Sequence, residues 1–198
     1  MKQAKVLTEQ EFKRVLAVIA SGRHAARNRL ALMLSHHAGL RVGEIASLSF
    51  TNVVKHDDAG IVVKHVSSVR DQIRLNPSQT KGGVARAVFM NKRLQREISK
   101  YVEGLSTLPA AHTPLIRSQK GKAFSANTLC QLFGELYRRA GIDGATSHSG
   151  RRSFITKLAH SGISAKVIME LAGHKHLTTT QRYIEVNDEM KRAAVEVL

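Results

Sequence analysis

Apolar side chains recur at every third or fourth position along most of the chain, which is the spacing of amphipathic α-helices. The first such stretch opens with Thr8 and Glu11 at the spacing of a capping box, and Phe12, Val15 and Ile19 follow at helical intervals up to about residue 20. The same pattern predicts further helices over residues 25–38, 42–48, 92–102, 125–139, 149–160, 165–171, 178–184 and 187–197.

Three short runs in the middle of the chain are rich in β-branched residues and predict strands over residues 61–66, 69–75 and 85–90. The connection before the third run ends in Gly82-Gly83, which is typical of a β-hairpin. We therefore expect a mostly α (α+β) fold, a helical bundle with a small three-stranded antiparallel sheet at one edge. A single domain is expected over residues 1–198.

The chain carries 31 Lys and Arg against 15 Asp and Glu, a net charge of +16. Such a surplus favours a polyanionic partner, and double-stranded DNA is preferred because aromatic residues, on which single-stranded bases stack, are only 5% of the chain. No segment calls for binding at a membrane surface or spanning a bilayer. The single cysteine, Cys130, excludes an internal disulfide framework, and the N-terminus does not resemble an export signal, so we expect a cytoplasmic protein.

Polar residues that could carry chemistry stand where helix boundaries or turns would present them. These are Arg41 with Glu44 after Gly39-Leu40, Lys81 before Gly82-Gly83, His148 with Arg151, His174 after Gly173, and Tyr183 after Thr178-Thr179-Thr180. At these positions the sequence resembles the tyrosine recombinase (phage integrase) family, with the motifs in the expected order over nearly the whole chain. The spacings also fit, because His148 and Arg151 are 3 residues apart, Arg151 and His174 are 23 apart, and His174 and Tyr183 are 9 apart.

The resemblance implies a site-specific recombinase or integrase that cleaves and rejoins DNA through a covalent 3′-phosphotyrosyl intermediate on Tyr183. Cleavage of a phosphodiester concentrates negative charge on the non-bridging oxygens, which suits the bidentate guanidinium groups of Arg41 and Arg151. His148 is a candidate acceptor for the phenol proton. We expect no metal, ATP or other cofactor.

The family resemblance also assigns roles to the remaining motif residues. Lys81 is expected to be the general acid that protonates the leaving 5′-oxygen, and His174 to donate a hydrogen bond to the phosphate. Glu44 is expected to brace the side chain of Arg41 or His148. Gly150 departs from the family pattern, in which Leu is common, without changing the spacing of the motif.

The resemblance further implies a homotetramer on two synapsed DNA sites, a monomer in solution and accessory DNA-bending proteins. The helix predicted over residues 187–198 is expected to pack on a neighbouring protomer or on its own. The family's N-terminal core-binding domain does not precede Thr8, so we expect either a short recombinase, resembling the fimbrial phase-switch invertases, or the catalytic domain of a longer protein.

Other interpretations of the same residues stay open at this point. Lys64, Arg74 and Arg86 are alternatives to Lys81, and the histidines could suggest zinc, although none of them has the spacing of a zinc enzyme. A type IB topoisomerase and a non-enzymatic DNA-binding regulator on the same fold are the rival functions. Candidate DNA-backbone contacts are Arg117, Lys120, Lys122, Arg138, Arg139, Arg152 and Arg182.

Overall fold

A computed structural model describes residues 3–62, 68–184, 186 and 188–196, except for the side chains of residues 189, 190 and 193. The helices are α1 (Glu9–Ala20), α2 (Ala25–Ala38), α3 (Val42–Ser47), α4 (Lys92–Glu103), α5 (Ala126–Arg139), α6 (Ser149–His160), α7 (Ala165–Ala172), α8 (Leu177–Gln181) and α9 (Asp188–Val195). The strands are β1 (Gln72–Leu75) and β2 (Arg86–Phe89).

The helix predictions are confirmed with small differences at the ends. At the start of α1 the Thr8 hydroxyl accepts from the Glu11 N–H at 3.1 Å and the Glu11 carboxylate accepts from the Thr8 N–H at 3.0 Å, which is the predicted capping box. Gly39 and Gly173 end α2 and α7 with φ of 61° and 63°, a left-handed conformation that favours glycine. The helix predicted over residues 178–184 is shorter than expected and begins one residue earlier.

The predicted three-stranded sheet is smaller in the structure. β1 and β2 pair antiparallel from Gln72 with Phe89 to Leu75 with Arg86, and these two strands make up the sheet among the described residues. Of the first predicted strand, Ile61 and Val62 form isolated bridges, and residues 63–67 lie outside the described residues. The second strand is shorter than predicted, since Val69 forms an isolated bridge with Val54 and the ladder with β2 begins at Gln72.

The core has two parts that meet at α6. The larger part is built from α1 to α5 and the sheet around residues such as Phe12, Phe50 and Phe133. The smaller part joins α6 and α7 through Ile155 and Ile168, with other apolar side chains around them. Both parts exclude water, so polar groups between them must find partners inside the protein.

Helix α6 lies very close to α2 because Gly150 carries no side chain. A Cβ atom at Gly150 would lie 2.4 Å from the buried Ser35 hydroxyl. There is therefore no room for the Leu that the family pattern has at position 150, because Ser35 occupies that space. This contact fixes the position of the next residue, Arg151, on the same turn of α6.

In the part of the chain that the structure describes, no helix combines the length and hydropathy needed to cross a bilayer. The same residues contain no group of three or more His, Cys, Asp or Glu side chains placed to hold a metal ion.

Candidate active site

Arg41 is the N-cap of α3, where the chain turns after the left-handed Gly39. Its backbone N–H donates to Glu44 Oε2 at 2.8 Å, and its Nη1 donates to Glu44 Oε1 at 3.1 Å. Glu44 is only 2% exposed, so its charge requires partners in the protein. The predicted bracing of Arg41 by Glu44 is thus present as a direct ion pair.

Arg86, at the first position of β2, shares the same carboxylate. Its Nη2 donates to both oxygens of Glu44, at 3.0 and 2.9 Å. Two guanidinium groups therefore meet on one buried carboxylate, and the group as a whole keeps an excess of positive charge.

The last three carbonyl groups at the C-terminal end of α7 each accept a hydrogen bond from a different arginine. The pairs are Arg86 Nη1 with Leu171 O at 3.3 Å, Arg151 Nη2 with Ala172 O at 2.6 Å, and Arg41 Nη2 with Gly173 O at 3.2 Å. Carbonyls at a helix end have no partner within the helix, and the helix dipole makes this end negative. The end of α7 therefore gathers three cations at one place.

Arg151 is the most enclosed of the three arginines, with 4% of its surface exposed. Its Nη1 donates to Gly39 O, the carbonyl at the end of α2, at 2.5 Å. Burial, followed by the positive charge of Arg41, lowers the pKa of Arg151 to about 9. The guanidinium is still charged at pH 7, and its fork joins the ends of two helices that belong to different parts of the core.

His174 follows the αL residue Gly173 and points into the same region. Its Nδ1 lies 2.9 Å from the Thr180 hydroxyl oxygen, and both residues are buried. Burial, with the charges of Arg151 and Arg41, lowers the pKa of His174 to about 4, so the ring is neutral at pH 7. One ring nitrogen is fixed by Thr180, which orients the whole imidazole.

Tyr183 lies just after α8 and stacks on His174, with ring centroids 5.8 Å apart and planes inclined by 21°. Its ring is half-buried and packs against the smaller part of the core. An open cleft beside the ring is lined by His148, Arg152 and Arg182, among others. Tyr183 and His148 therefore line the same cleft.

Lys81 lies at the exposed tip of the hairpin between β1 and β2. A Cβ atom on the next residue, Gly82, would lie 3.0 Å from Lys175 Cε, so the tip rests beside the residue that follows His174. Of the alternatives to Lys81, Arg74 lies exposed on β1 and Arg86 is held by Glu44. Lys64 lies outside the described residues.

Comparison with known proteins identifies the family of the chain. Residues 5–190 match the phage integrase family. The chain belongs to this family.

The tyrosine recombinase XerA of Thermococcus kodakarensis is 34% identical to this family member over 192 residues, which cover 97% of the chain and 62% of XerA. The chain spans less than two thirds of the length of this relative. A crystal structure of XerA recombinase has a TM-score of 0.69 at 23% identity, covering 98% of this chain and 63% of that one. The Tn1549 transposon integrase in complex with transposon right end DNA has a TM-score of 0.71 at 18% identity, covering 99% and 66%. These structural likenesses show that the chain shares the fold of these two proteins.

The seven candidate DNA contacts of this integrase-family chain fall in different places. Arg152 and Arg182 line the cleft beside Tyr183, and the Arg152 Nη1 also donates to the Ala4 carbonyl at 2.9 Å. Arg138 forms a two-pronged ion pair with Glu135 on α5. The remaining four candidates do not line the Tyr183 cleft. They are Arg117, Lys120, Lys122 and Arg139.

Sequence reasoning missed two polar residues that help build the site. The sequence suggests Arg86 only as a substitute for Lys81, whereas in the structure it shares the Glu44 carboxylate with Arg41. The sequence shows Thr180 only as part of a threonine-rich turn, whereas its hydroxyl forms a hydrogen bond with His174. The one signal in the sequence is that Arg86 stands five residues after Lys81, at the start of a strand. This position does not reveal that Arg86 pairs with Glu44, 42 residues away.

Proposed function

We propose that residues 1–198 form the catalytic domain of a site-specific DNA recombinase that breaks and rejoins double-stranded DNA through Tyr183. The observation that carries this proposal is the gathering of three guanidinium groups at the end of α7, next to a tyrosine on an open cleft. Fixed cations aimed at a scissile phosphate stabilise the charge of the transition state without reorganisation.

In the proposed reaction the Tyr183 oxygen attacks the phosphorus of one DNA strand. The new bond joins tyrosine to the 3′-phosphate, the bond from phosphorus to the 5′-oxygen breaks, and the phenol proton passes to His148 in the same cleft. Rejoining reverses these steps with a 5′-hydroxyl as the nucleophile. The bond energy is kept in the phosphotyrosyl ester, so neither ATP nor a metal ion enters the balance.

Arg41 and Arg151 are proposed to hold the non-bridging oxygens. Glu44 holds Arg41 in position, and Arg86 forms a second ion pair with the same carboxylate. For the neutral His174 to donate its Nε2–H to the phosphate, its Nδ1 must accept from the Thr180 hydroxyl, which lies 2.9 Å away.

Lys81 is proposed to give its proton to the 5′-oxygen as this leaves. The side chain of a lysine at an exposed hairpin tip stays in contact with water until DNA covers it. The neighbouring contact between Gly82 and Lys175 supports this role, since it keeps the tip near His174.

The partner is proposed to be duplex DNA bound by two pairs of protomers, with accessory DNA-bending proteins where the site requires them. Arg152 and Arg182 beside the cleft, and the net charge of +16, favour contact with the DNA backbone. The end of the chain around α9 is proposed to pack on a neighbouring protomer in that assembly or on its own protomer, and the free chain is proposed to be monomeric.

The test is covalent trapping on DNA in the presence of EDTA. The substrate is a pool of 40-base-pair duplexes with random sequence around a nick at a fixed position, from which denaturant-resistant protein–DNA adducts are recovered and sequenced. We expect wild type to give adducts that share a sequence, with the DNA linked to the peptide that contains Tyr183. Tyr183→Phe is expected to bind the recovered sequence and give no adduct.

Two other outcomes would contradict the proposal. Sequence-selective binding without an adduct from wild type would indicate a non-enzymatic DNA-binding protein. An adduct that survives in Tyr183→Phe would move the nucleophile to another residue.

A further inference from the structure

The tip of the β1–β2 hairpin is a small closed loop. The Thr80 hydroxyl accepts from the Val84 N–H at 3.1 Å and donates to the Val84 carbonyl at 2.9 Å, and the Gly83 N–H donates to the Thr80 carbonyl at 3.2 Å. Lys81 lies inside this loop. The loop itself is exposed, so its position in the molecule depends on what holds the chain on either side of it.

On the incoming side, Gln79 holds the loop through every polar atom of its amide. Its Oε1 accepts from Asn52 Nδ2 and from the Asn76 N–H, both at 3.0 Å. Its Nε2 donates to the Ser47 carbonyl at 2.6 Å and to Asn52 Oδ1 at 3.1 Å. Asn52 is 3% exposed, so this pair of amides is a rigid connection to the core.

On the outgoing side, Arg86 holds the loop through its guanidinium fork. Nη2 donates to both oxygens of Glu44 and Nη1 to the Leu171 carbonyl. The guanidinium also lies against Gly173, where a Cβ atom would be 2.8 Å from its Nε. The strand that leaves the tip is thereby fixed to the end of α7.

Both anchors connect to the same short helix, α3. Gln79 bonds the carbonyl of Ser47, the last residue of α3, and Arg86 bonds Glu44, in its first turn. Arg41 is the N-cap of that helix. The loop that carries Lys81 is therefore held at two points to the element that carries Arg41.

We propose that Gln79 and Arg86 are positioning residues that hold Lys81 at the leaving oxygen of the phosphate bound by Arg41. The inference rests on the function proposed above and extends it to two residues outside the motif. Neither residue touches DNA in this role; each acts through the position of the hairpin tip.

The experiment compares two substrates in single-turnover cleavage, both built on the sequence recovered from the random pool. One has the natural 5′-oxygen at the scissile phosphate, and the other has sulfur in that bridging position. A thiol has a pKa near 8.5, so a thiolate leaves without being protonated and a defect in the acid is bypassed. A defect in holding the phosphate slows cleavage of both substrates.

The test variants are Gln79→Met, which keeps the size of the side chain and removes its hydrogen bonds, and Arg86→Lys, which keeps the charge beside Glu44 and removes the fork. For each we expect cleavage of the oxygen substrate to fall by about tenfold or more, a part of the roughly 10²- to 10⁴-fold that a positioned acid contributes. Cleavage of the sulfur substrate is expected to stay within about threefold of wild type, which also shows that the variant is folded.

Reference variants frame this result. Lys81→Ala is expected to be slow on oxygen and restored on sulfur, whereas Arg41→Lys is expected to be slow on both. Ser78→Ala, an exposed neighbour of Gln79, is the matched control and should match wild type on both substrates.

Equal slowing of both substrates by Gln79→Met and Arg86→Lys would overturn the inference, because the residues would then act through Arg41 or through the fold. Wild-type rates on the oxygen substrate would overturn it as well. Either result would leave adduct formation at Tyr183, and so the proposed function, intact. Failure of Lys81→Ala to recover on sulfur would remove Lys81 as the acid and the inference with it.

Discussion

The arginine cluster at the end of α7 and the tip of the β1–β2 hairpin lie near His174, but they differ in burial and in how firmly they are held. In the cluster, Arg151 is enclosed between the two parts of the core and its fork is fixed by two helix ends. At the tip, Lys81 is exposed on a loop that is held only at its base. The cluster is organised before DNA arrives, whereas the tip can yield to the duplex. In the proposed reaction, the cations that hold the phosphate are therefore rigid, and the acid stands on an exposed loop.

Arg151→Lys tests the rigid region and has the largest expected effect. A lysine cannot bond both Gly39 O and Ala172 O with the geometry of a fork, so we expect cleavage to fall by about 10²- to 10³-fold. The melting temperature should fall too, since a buried carbonyl loses its partner. Lys81→Ala should also slow cleavage but leave the melting temperature unchanged. If both variants melt alike, the contrast between the regions is wrong.

Gly150→Ala tests whether the cluster depends on the close approach of α6 to α2. The new Cβ would meet the Ser35 hydroxyl at 2.4 Å, so we expect the free energy of unfolding to fall by about 1–3 kcal/mol. Denaturant unfolding measures this change. Gly134→Ala on α5 is the control, because a Cβ there meets nothing within 4 Å and should stabilise the helix by about 0.5–1 kcal/mol. Adding Ser35→Gly to Gly150→Ala should restore only part of the lost stability, because it removes the clash but places a glycine within α2. No restoration would place the clash elsewhere.

Thr180→Val tests whether the Thr180 hydroxyl orients the ring of His174 beside the arginine cluster. The change keeps the shape of a fully buried side chain and removes the hydroxyl that meets Nδ1. Loss of one neutral hydrogen bond of about 1 kcal/mol corresponds to roughly a five- to tenfold slower cleavage. Thr180→Ser should cleave at nearly the wild-type rate, and an equal loss in both variants would mean that the methyl group, not the hydroxyl, orients the ring.

Three histidines with lowered pKa values, of which His36 and His174 are buried, make the stability of the fold depend on pH. Burial lowers the pKa of His36 to about 3, and that of His37 and His174 to about 4, with nearby Lys or Arg charges adding to the shift. Between the ordinary value of 6.5 and these values the unfolded chain binds protons that the folded chain does not. The free energy of unfolding should therefore decrease as pH falls from about 6.5 towards 4.

Denaturant unfolding of wild type and His36→Gln at several pH values between 7 and 5 measures this slope. We expect a shallower slope for the variant, because one of the three groups is removed. This range lies above the one in which the lowered pKa values of Glu9, Glu11 and Glu97 come into play. An unchanged slope would mean that His36 does not contribute.

Local signals made most of the helices predictable. The Thr8 capping box and the glycine at 39 mark helix ends through contacts between residues a few positions apart, and such contacts are written in the sequence. The sheet was predicted less well, because strand pairing depends on distant partners and on edges that the pattern does not specify. The motif residues around Arg41 and Tyr183 could be selected from the sequence because they match the motifs of the tyrosine recombinase family. The same resemblance implied their chemical roles.

Residue type and near neighbours are enough to predict the helical elements, the excess of positive charge and the set of motif residues. The folded protein alone shows that the end of α7 joins Arg41, Arg86 and Arg151, that Gln79 pairs with Asn52, and that α6 packs closely on α2 at Gly150. These contacts link residues 21 to 132 positions apart. Chain spacing carries no information about them, because burial and unpaired helix-end carbonyls select the partners only once the helices have packed.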